Sequence, residues 1–257
     1  MEGGEDSLYL FDHLVHFVEK PEQLVEKTRE IGLHTVNGGK HEMWGTYNSL
    51  CYFGLSYIEF IGIFNEALFE EAASKPFTLH ETYKLKQFQN GVVRLAMRST
   101  SIEEDAEKLS SLGYEVYGPD NFSRTRPDGS VLKWKLLHFG KQGQSLEFPF
   151  IIQWEGNDNE RLKDLTESGT IKPHPLGNLQ IKAIEFEVED LTIATEWGRA
   201  FDFEVEGTDI AKMVKTPNCI LTFKKSAGEN KISQISIHGG MEKLEVVLEG
   251  AKYLFNK

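Results

Sequence analysis

Glu22-Gln23-Leu24-Val25-Glu26-Lys27-Thr28-Arg29-Glu30-Ile31-Gly32 and Glu103-Glu104-Asp105-Ala106-Glu107-Lys108-Leu109-Ser110-Ser111-Leu112-Gly113 decide the fold. They superimpose without a gap at an offset of 103 − 22 = 81 residues, with Glu26-Lys27 on Glu107-Lys108 and Ile31-Gly32 on Leu112-Gly113. Each reads as a helix. Pro21 opens the first, at a position where its missing N–H costs nothing, and Gly32 supplies a left-handed end. Ser101 and Glu104 predict a capping box for the second. Strand-like runs flank both: residues 10–18 and 91–98 before, then 48–54 and 57–64 in one copy and 130–139 and 146–154 in the other, with Pro127-Asp128-Gly129 as a turn. Each copy therefore reads β-α-β-β-β. A weaker third echo starts at Ile181, and residues 244–248 and 251–255 predict a closing hairpin around Glu249-Gly250. The fold class is α+β, with tandem units at 8–64 and 91–157 joined by 65–90, a linker over 155–178, and a partial unit over 178–257.

Composition narrows the function. The chain has 257 residues, 40% apolar and 11% aromatic, enough for a sizeable core. Its net charge of −12 repels phosphate backbones, and no basic patch offsets it, so no nucleic-acid partner is expected. Cys51 and Cys219 are too few for a disulfide framework or a cysteine zinc site, which fits a reducing cytoplasm. The first residues carry acids where a secretory signal carries Lys or Arg, and no apolar run is long enough to span a bilayer, so no membrane association is expected. No G-x-S-x-G elbow, P-loop or dinucleotide fingerprint is present.

Chemistry concentrates in the first unit. Strand alternation puts His13, Val15 and Phe17 on one face of the opening strand and Leu14, His16 and Val18 on the other. Glu59 is the one charge in the apolar run 57–63, where a carboxylate needs a partner or a metal. His13 and Glu59 on neighbouring strands would offer nitrogen and oxygen to Zn, Fe, Mn, Co or Ni. The same pair also reads as a hydrogen-bonded core pair without metal. Between the strands, Gly38-Gly39 and then His41, Trp44, Thr46 and Asn48 suit a small-molecule pocket, or equally a glycine loop with its aromatics in the core. Arg124, Arg126 and Asp128 read as a turn-stabilising set, His138 and His238 as structural, and Cys51 as a buried small hydrophobe.

Asp12-His13, Tyr57-Ile58-Glu59, His41-x-x-x-Gly45-Thr46-x-Asn48, Arg124-x-Arg126-Pro127-Asp128-Gly129 with Trp134, and Pro149-Phe150-x-Ile152-x-Trp154 together resemble the glyoxalase-like domain family of the vicinal oxygen chelate superfamily, over residues 9–157. The resemblance implies paired βαβββ units curved into a bowl, with metal ligands on the first and last strands of each unit. The first unit supplies His13 and Glu59, with His41 or Gln153 as further donors. In the second, the offset puts Arg94 on the His13 position, and guanidinium cannot ligate; Gln153 stands where the last ligand is expected. Arg94 would instead pair with a ligand carboxylate, or with Glu59 itself. Trp154 would join the pocket wall. The implied activity is a metal-dependent lyase, isomerase or dioxygenase on an oxygen-rich small substrate. The alternatives are a metal-free binding module of the antibiotic-resistance kind, or a non-catalytic homodimer paired through strands such as 232–237.

Overall fold

The computed structural model describes residues 9–125, 129 and 131–257, so the expectations for Arg126, Pro127 and Asp128 lie outside the described residues. The first unit is β1 (Leu10–Phe17), α1 (Pro21–Glu30), β2 (Val36–His41), β3 (Thr46–Phe53) and β4 (Ser56–Ile63). The interval before the second unit holds α2 (Glu66–Ala73) and α3 (Leu79–Leu85). The second unit is β5 (Gly91–Arg98), α4 (Ile102–Ser111), β6 (Glu115–Thr125), β7 (Val131–Gly140) and β8 (Phe150–Trp154). The interval after it forms α5 (Asp158–Glu167).

These eight strands make one sheet in the order β2-β3-β4-β1-β5-β8-β7-β6, two four-stranded halves joined by the antiparallel β1–β5 pair. Within each half the first and last strands run parallel, which registers Val15 beside Glu59 and His13 beside Tyr57. Pro21 stands at the first position of α1 as predicted, and Gly32 follows its end at φ +81°. The capping box predicted for α4 does not form. Ser101 makes no cap hydrogen bond, and Oε1 of Gln153 takes the Ile102 N–H at 3.0 Å instead.

The remaining chain forms β9 (Gly177–Val188), α6 (Thr192–Phe201), β10 (Glu204–Gly207), β11 (Ala211–Lys215), β12 (Ile220–Lys225), β13 (Lys231–Gly240), β14 (Leu244–Leu248) and β15 (Ala251–Asn256). The second sheet runs β10-β11-β12-β9-β13-β15-β14. Its first four strands and α6 repeat the βαβββ plan, and β14–β15 is the expected hairpin. The exposed pairing edge expected over 232–237 is absent: β9 and β15 flank β13 on both sides, and Ile235 and Ile237 are buried. No helix among the described residues is long and apolar enough to cross a membrane.

β1 is buried on both faces because each faces a different layer. Val15 and Phe17 pack inward with Ile61, Phe150 and Ile152, lining the bowl. Leu14 and Val18 belong to a core continuous with Ile184, Phe186 and Tyr253, so the second sheet covers the back of the first.

Candidate functional site

The bowl holds a narrow cavity of about 60 Å³, with His13, His41, Asn48, Glu59, Arg124 and Arg161 among its lining. Its walls are aromatic and aliphatic, Trp44, Trp134, Trp154 and Phe150 among them. β1 contributes His13, the turn into β3 contributes Trp44, and β4 contributes Glu59. The two glycines before His41 are needed for space. A Cβ on Gly38 would stand 1.9 Å from Oδ1 of Asn48, and one on Gly39 would stand 2.7 Å from Cδ of Arg124.

Hydrogen bonding fixes the polarity of the cavity. Oδ1 of Asn48 accepts from the Gly39 N–H at 2.9 Å and from Nη1 of Arg124 at 3.3 Å. Its Nδ2 therefore faces inward, donating to Oε1 of Glu59 at 2.6 Å and lying 3.5 Å from Nε2 of His41. Nδ1 of His41 meets the Thr46 hydroxyl at 3.0 Å, which suits a ring with its proton on Nδ1 and a bare Nε2. Nδ1 of His13 donates to the Asp12 carboxylate at 2.7 Å, leaving Nε2 bare there too. Both Nε2 atoms stand 3.8 Å from Glu59, His13 by Oε2 and His41 by Oε1. Two imidazole lone pairs and a carboxylate thus face one another, with Asn48 donating to Glu59 and reaching His41. Tyr57 stacks on His13 at 4.4 Å and holds the ring plane. Burial, reinforced by the Arg124 charge, keeps His41 below the ordinary histidine range, with Glu59 pulling the other way.

Behind His13 lies an ionic network that sequence reasoning missed. Asp12 is fully buried and accepts from Arg98 at 3.0 Å, Trp154 at 3.2 Å and Arg161 at 3.4 Å. Burial alone would raise its pKa, but Arg161, the His13 hydrogen bond and Arg98 outweigh that and hold the carboxyl well below the usual range. Arg161 comes from α5 and lies over the Trp154 ring at 4.2 Å. The one sequence signal for it was an Asn157/Glu160 capping box, which sets the start of α5.

The structure brings His13, His41, Trp44, Asn48, Glu59 and Trp154 to this cavity, with Thr46 supporting His41. It does not bring Arg94 or Gln153. Arg94 projects from β5 to the carbonyls of Phe148 and Phe77, because those acceptors lie within reach of its long side chain, and it does not pair with Glu59. Both ends of the Gln153 amide are occupied by the start of α4 and by the Thr100 carbonyl. Among the described residues, no group of three or more His, Cys, Asp or Glu is arranged to hold a metal ion; Nε2 of His13 and of His41 each stand 3.8 Å from Glu59.

A family model described as glyoxalase-like domain matches residues 11–201. Among solved structures, a hypothetical protein from Staphylococcus aureus superposes on 97% of this chain and 100% of its own, with a TM-score of 0.86 and 21% identity. A xylose isomerase-like TIM barrel/4-hydroxyphenylpyruvate dioxygenase fusion protein covers 89% of this chain and 36% of its own, with a TM-score of 0.50 and 12% identity. Methylmalonyl-CoA epimerase from Mycobacterium tuberculosis covers 61% of this chain and 94% of its own, with a TM-score of 0.40 and 15% identity. The first two likenesses are of fold alone. No curated protein matches the sequence. With most of its length inside one family model and the bowl that family implies, the chain belongs to the glyoxalase-like domain family.

Proposed function

We propose that the first cavity is a small-molecule site built on a divalent cation held by His13, His41 and Glu59, serving to polarise an oxygen-bearing substrate. The observation behind this reading is the convergence of two bare Nε2 atoms and a carboxylate on one space. Neutral imidazole with carboxylate suits Zn, Fe(II), Mn, Co or Ni, so the donor chemistry fits. His13, His41 and Glu59 would hold the ion, with Nε2 of each histidine drawing in from the 3.8 Å it keeps from Glu59 here. When bound, such an ion supplies Lewis-acid polarisation of a carbonyl or enolate oxygen, the chemistry of a lyase, isomerase or dioxygenase.

The chain's own residues prepare the site. Asp12 keeps the His13 proton on Nδ1, Thr46 does the same for His41, and Asn48 orients Glu59. Arg124 and Arg161 bring positive charge to the wall and favour a substrate with a negative oxygen. The tryptophans exclude water and press on a flat ligand body.

A metal-free binding role is the second reading, favoured by the bond from Asn48 that already satisfies Oε1 of Glu59. Metal analysis of protein purified without chelators separates the two. The cation reading expects about one divalent ion per chain, lost in both His13→Ala and Glu59→Ala. No ion after reconstitution, together with a metabolite that raises the melting temperature, supports the metal-free reading.

A further inference from the structure

The second sheet follows the pairing plan of the first, strand for strand, and stops one strand early. β9 pairs antiparallel with β13 as β1 does with β5, and β13 pairs parallel with β15 as β5 does with β8. β15 then pairs antiparallel with β14, as β8 does with β7. On the other side of β9, the strands β12, β11 and β10 stand where β4, β3 and β2 stand beside β1. The first sheet has one strand more, β6, paired antiparallel with β7. No strand among the described residues takes that place beside β14. Residues 241–243 alone connect β13 to β14, whereas α4 and β6 lie between β5 and β7.

An open sheet edge is a row of unpaired backbone donors and acceptors unless something guards it. β2 and β6 approach one another across the bowl, where Gly39 lies against Arg124. β10 has four residues, and its Glu204 and Glu206 both pair with Lys215. β14 is different, with four aliphatic residues among its five and Val247 71% exposed. Its turn into β15, Glu249-Gly250, has φ of +44° and +83°, the two-residue type I′ form. Such a turn makes Leu248–Ala251 a hydrogen-bonded pair, and antiparallel alternation extends this to Val246–Tyr253 and Leu244–Phe255. Glu245 and Val247 therefore turn their N–H and C=O groups to the free side. Leu244, Val246 and Leu248 lie half-buried at the margin of the core that the two sheets share.

We propose that β14 pairs antiparallel with β14 of a second copy of this chain, joining the two second sheets edge to edge. Centred on Val246, the pairing bonds the outward groups of Glu245 to those of Val247 in the second copy. It also sets Leu244 against Leu248 and Lys243 against Glu249, apolar on apolar and opposite charge on opposite charge. Centring on Val247 would instead oppose Glu245 and Glu249, so charge favours the first register. Five residues a side make a small interface, and the dimer belongs to the weak class, forming at ~10–100 µM. None of these residues lines the first cavity, so the proposal and the cation reading are tested apart.

The test is sedimentation equilibrium of the full-length protein up to ~0.2 mM, where a monomer–dimer equilibrium is expected. Val247→Pro removes an outward N–H without touching the bonds to β15. It should weaken dimerisation about ten-fold or more and leave the circular dichroism unchanged. Val246→Cys gives a readout that needs no loss of binding. The two Val246 residues would face one another in a non-hydrogen-bonded pair with Cα atoms about 4.5 Å apart, within disulfide reach, so mild oxidation should link the dimer. Cys51 and Cys219 are buried and supply no competing link. A chain monomeric to ~0.2 mM, which leaves the edge to a different protein or to solvent, would overturn the proposal. So would a dimer indifferent to Val247→Pro, or linkage through Val247→Cys in place of Val246→Cys.

Discussion

At the scale of single residues, Asp12 carries more of the site than its distance from the cavity suggests. It gives His13 its tautomer and compensates two guanidiniums, Arg98 and Arg161, in a fully buried position. Asp12→Asn keeps the volume and removes the charge, leaving Arg161 without its paired carboxylate, while Arg98 keeps Asp158 at 2.7 Å. A loss of about 3–5 kcal/mol is expected from urea denaturation, since breaking a buried ion pair strands its partner. Glu59 and His13 were legible in the sequence because a charge in an apolar strand and a histidine on an inward face both demand explanation. Arg94 was misplaced for a physical reason. An 81-residue offset aligns backbone positions, but a guanidinium ends several bonds away, wherever carbonyl acceptors lie.

At the scale of elements, the repeat made most of the first sheet readable. β5 falls on the residues expected, and β1, β3, β4 and β7 fall within a few. β2 and β6 were missed because their sequences, Val36–His41 and Glu115–Thr125, are polar and carry glycines or a proline. They are edge strands, at the two ends of the sheet, where one-sided pairing asks little of the pattern. The intervals read as linkers supply cavity walls: α3 brings Leu79 and His80, and α5 brings Arg161. The turn between β2 and β3 depends on Gly45, which sits at φ +66° and would put a Cβ 2.2 Å from the Asn65 carbonyl oxygen. Gly45→Ala should therefore cost about 1–3 kcal/mol and displace Trp44, read as a lowered melting temperature with altered tryptophan fluorescence.

At the scale of the whole molecule, the two sheets share one core, so the C-terminal strands act as the back wall of the bowl. His16 marks the joint. Its Nε2 donates to the Glu249 carbonyl at 2.9 Å, and its Nδ1 accepts from the Tyr253 hydroxyl at 2.7 Å. A chain ended after residue 157 would expose Leu14, Phe60 and their neighbours, and it should be recovered insoluble or unfolded, judged by circular dichroism. Burial holds His16 down to about 4, and His80 and His138 to about 3, against ~6.5 in an unfolded chain. Below pH 6.5 the unfolded state binds protons that the native state refuses, so stability falls with pH, the loss continuing to about pH 4 for His16 and about pH 3 for His80 and His138. Three such groups give a slope of about 4 kcal/mol per pH unit near pH 5. The raised carboxyls Glu147 and Asp105 offset part of this, and urea midpoints across pH 4–7 measure it. Metal content of protein purified without chelators decides whether His13, His41 and Glu59 hold a divalent ion. Close to one ion per chain is expected, lost when any of the three is replaced by alanine. An ion-free protein after reconstitution, or a metal content indifferent to all three substitutions, would contradict it.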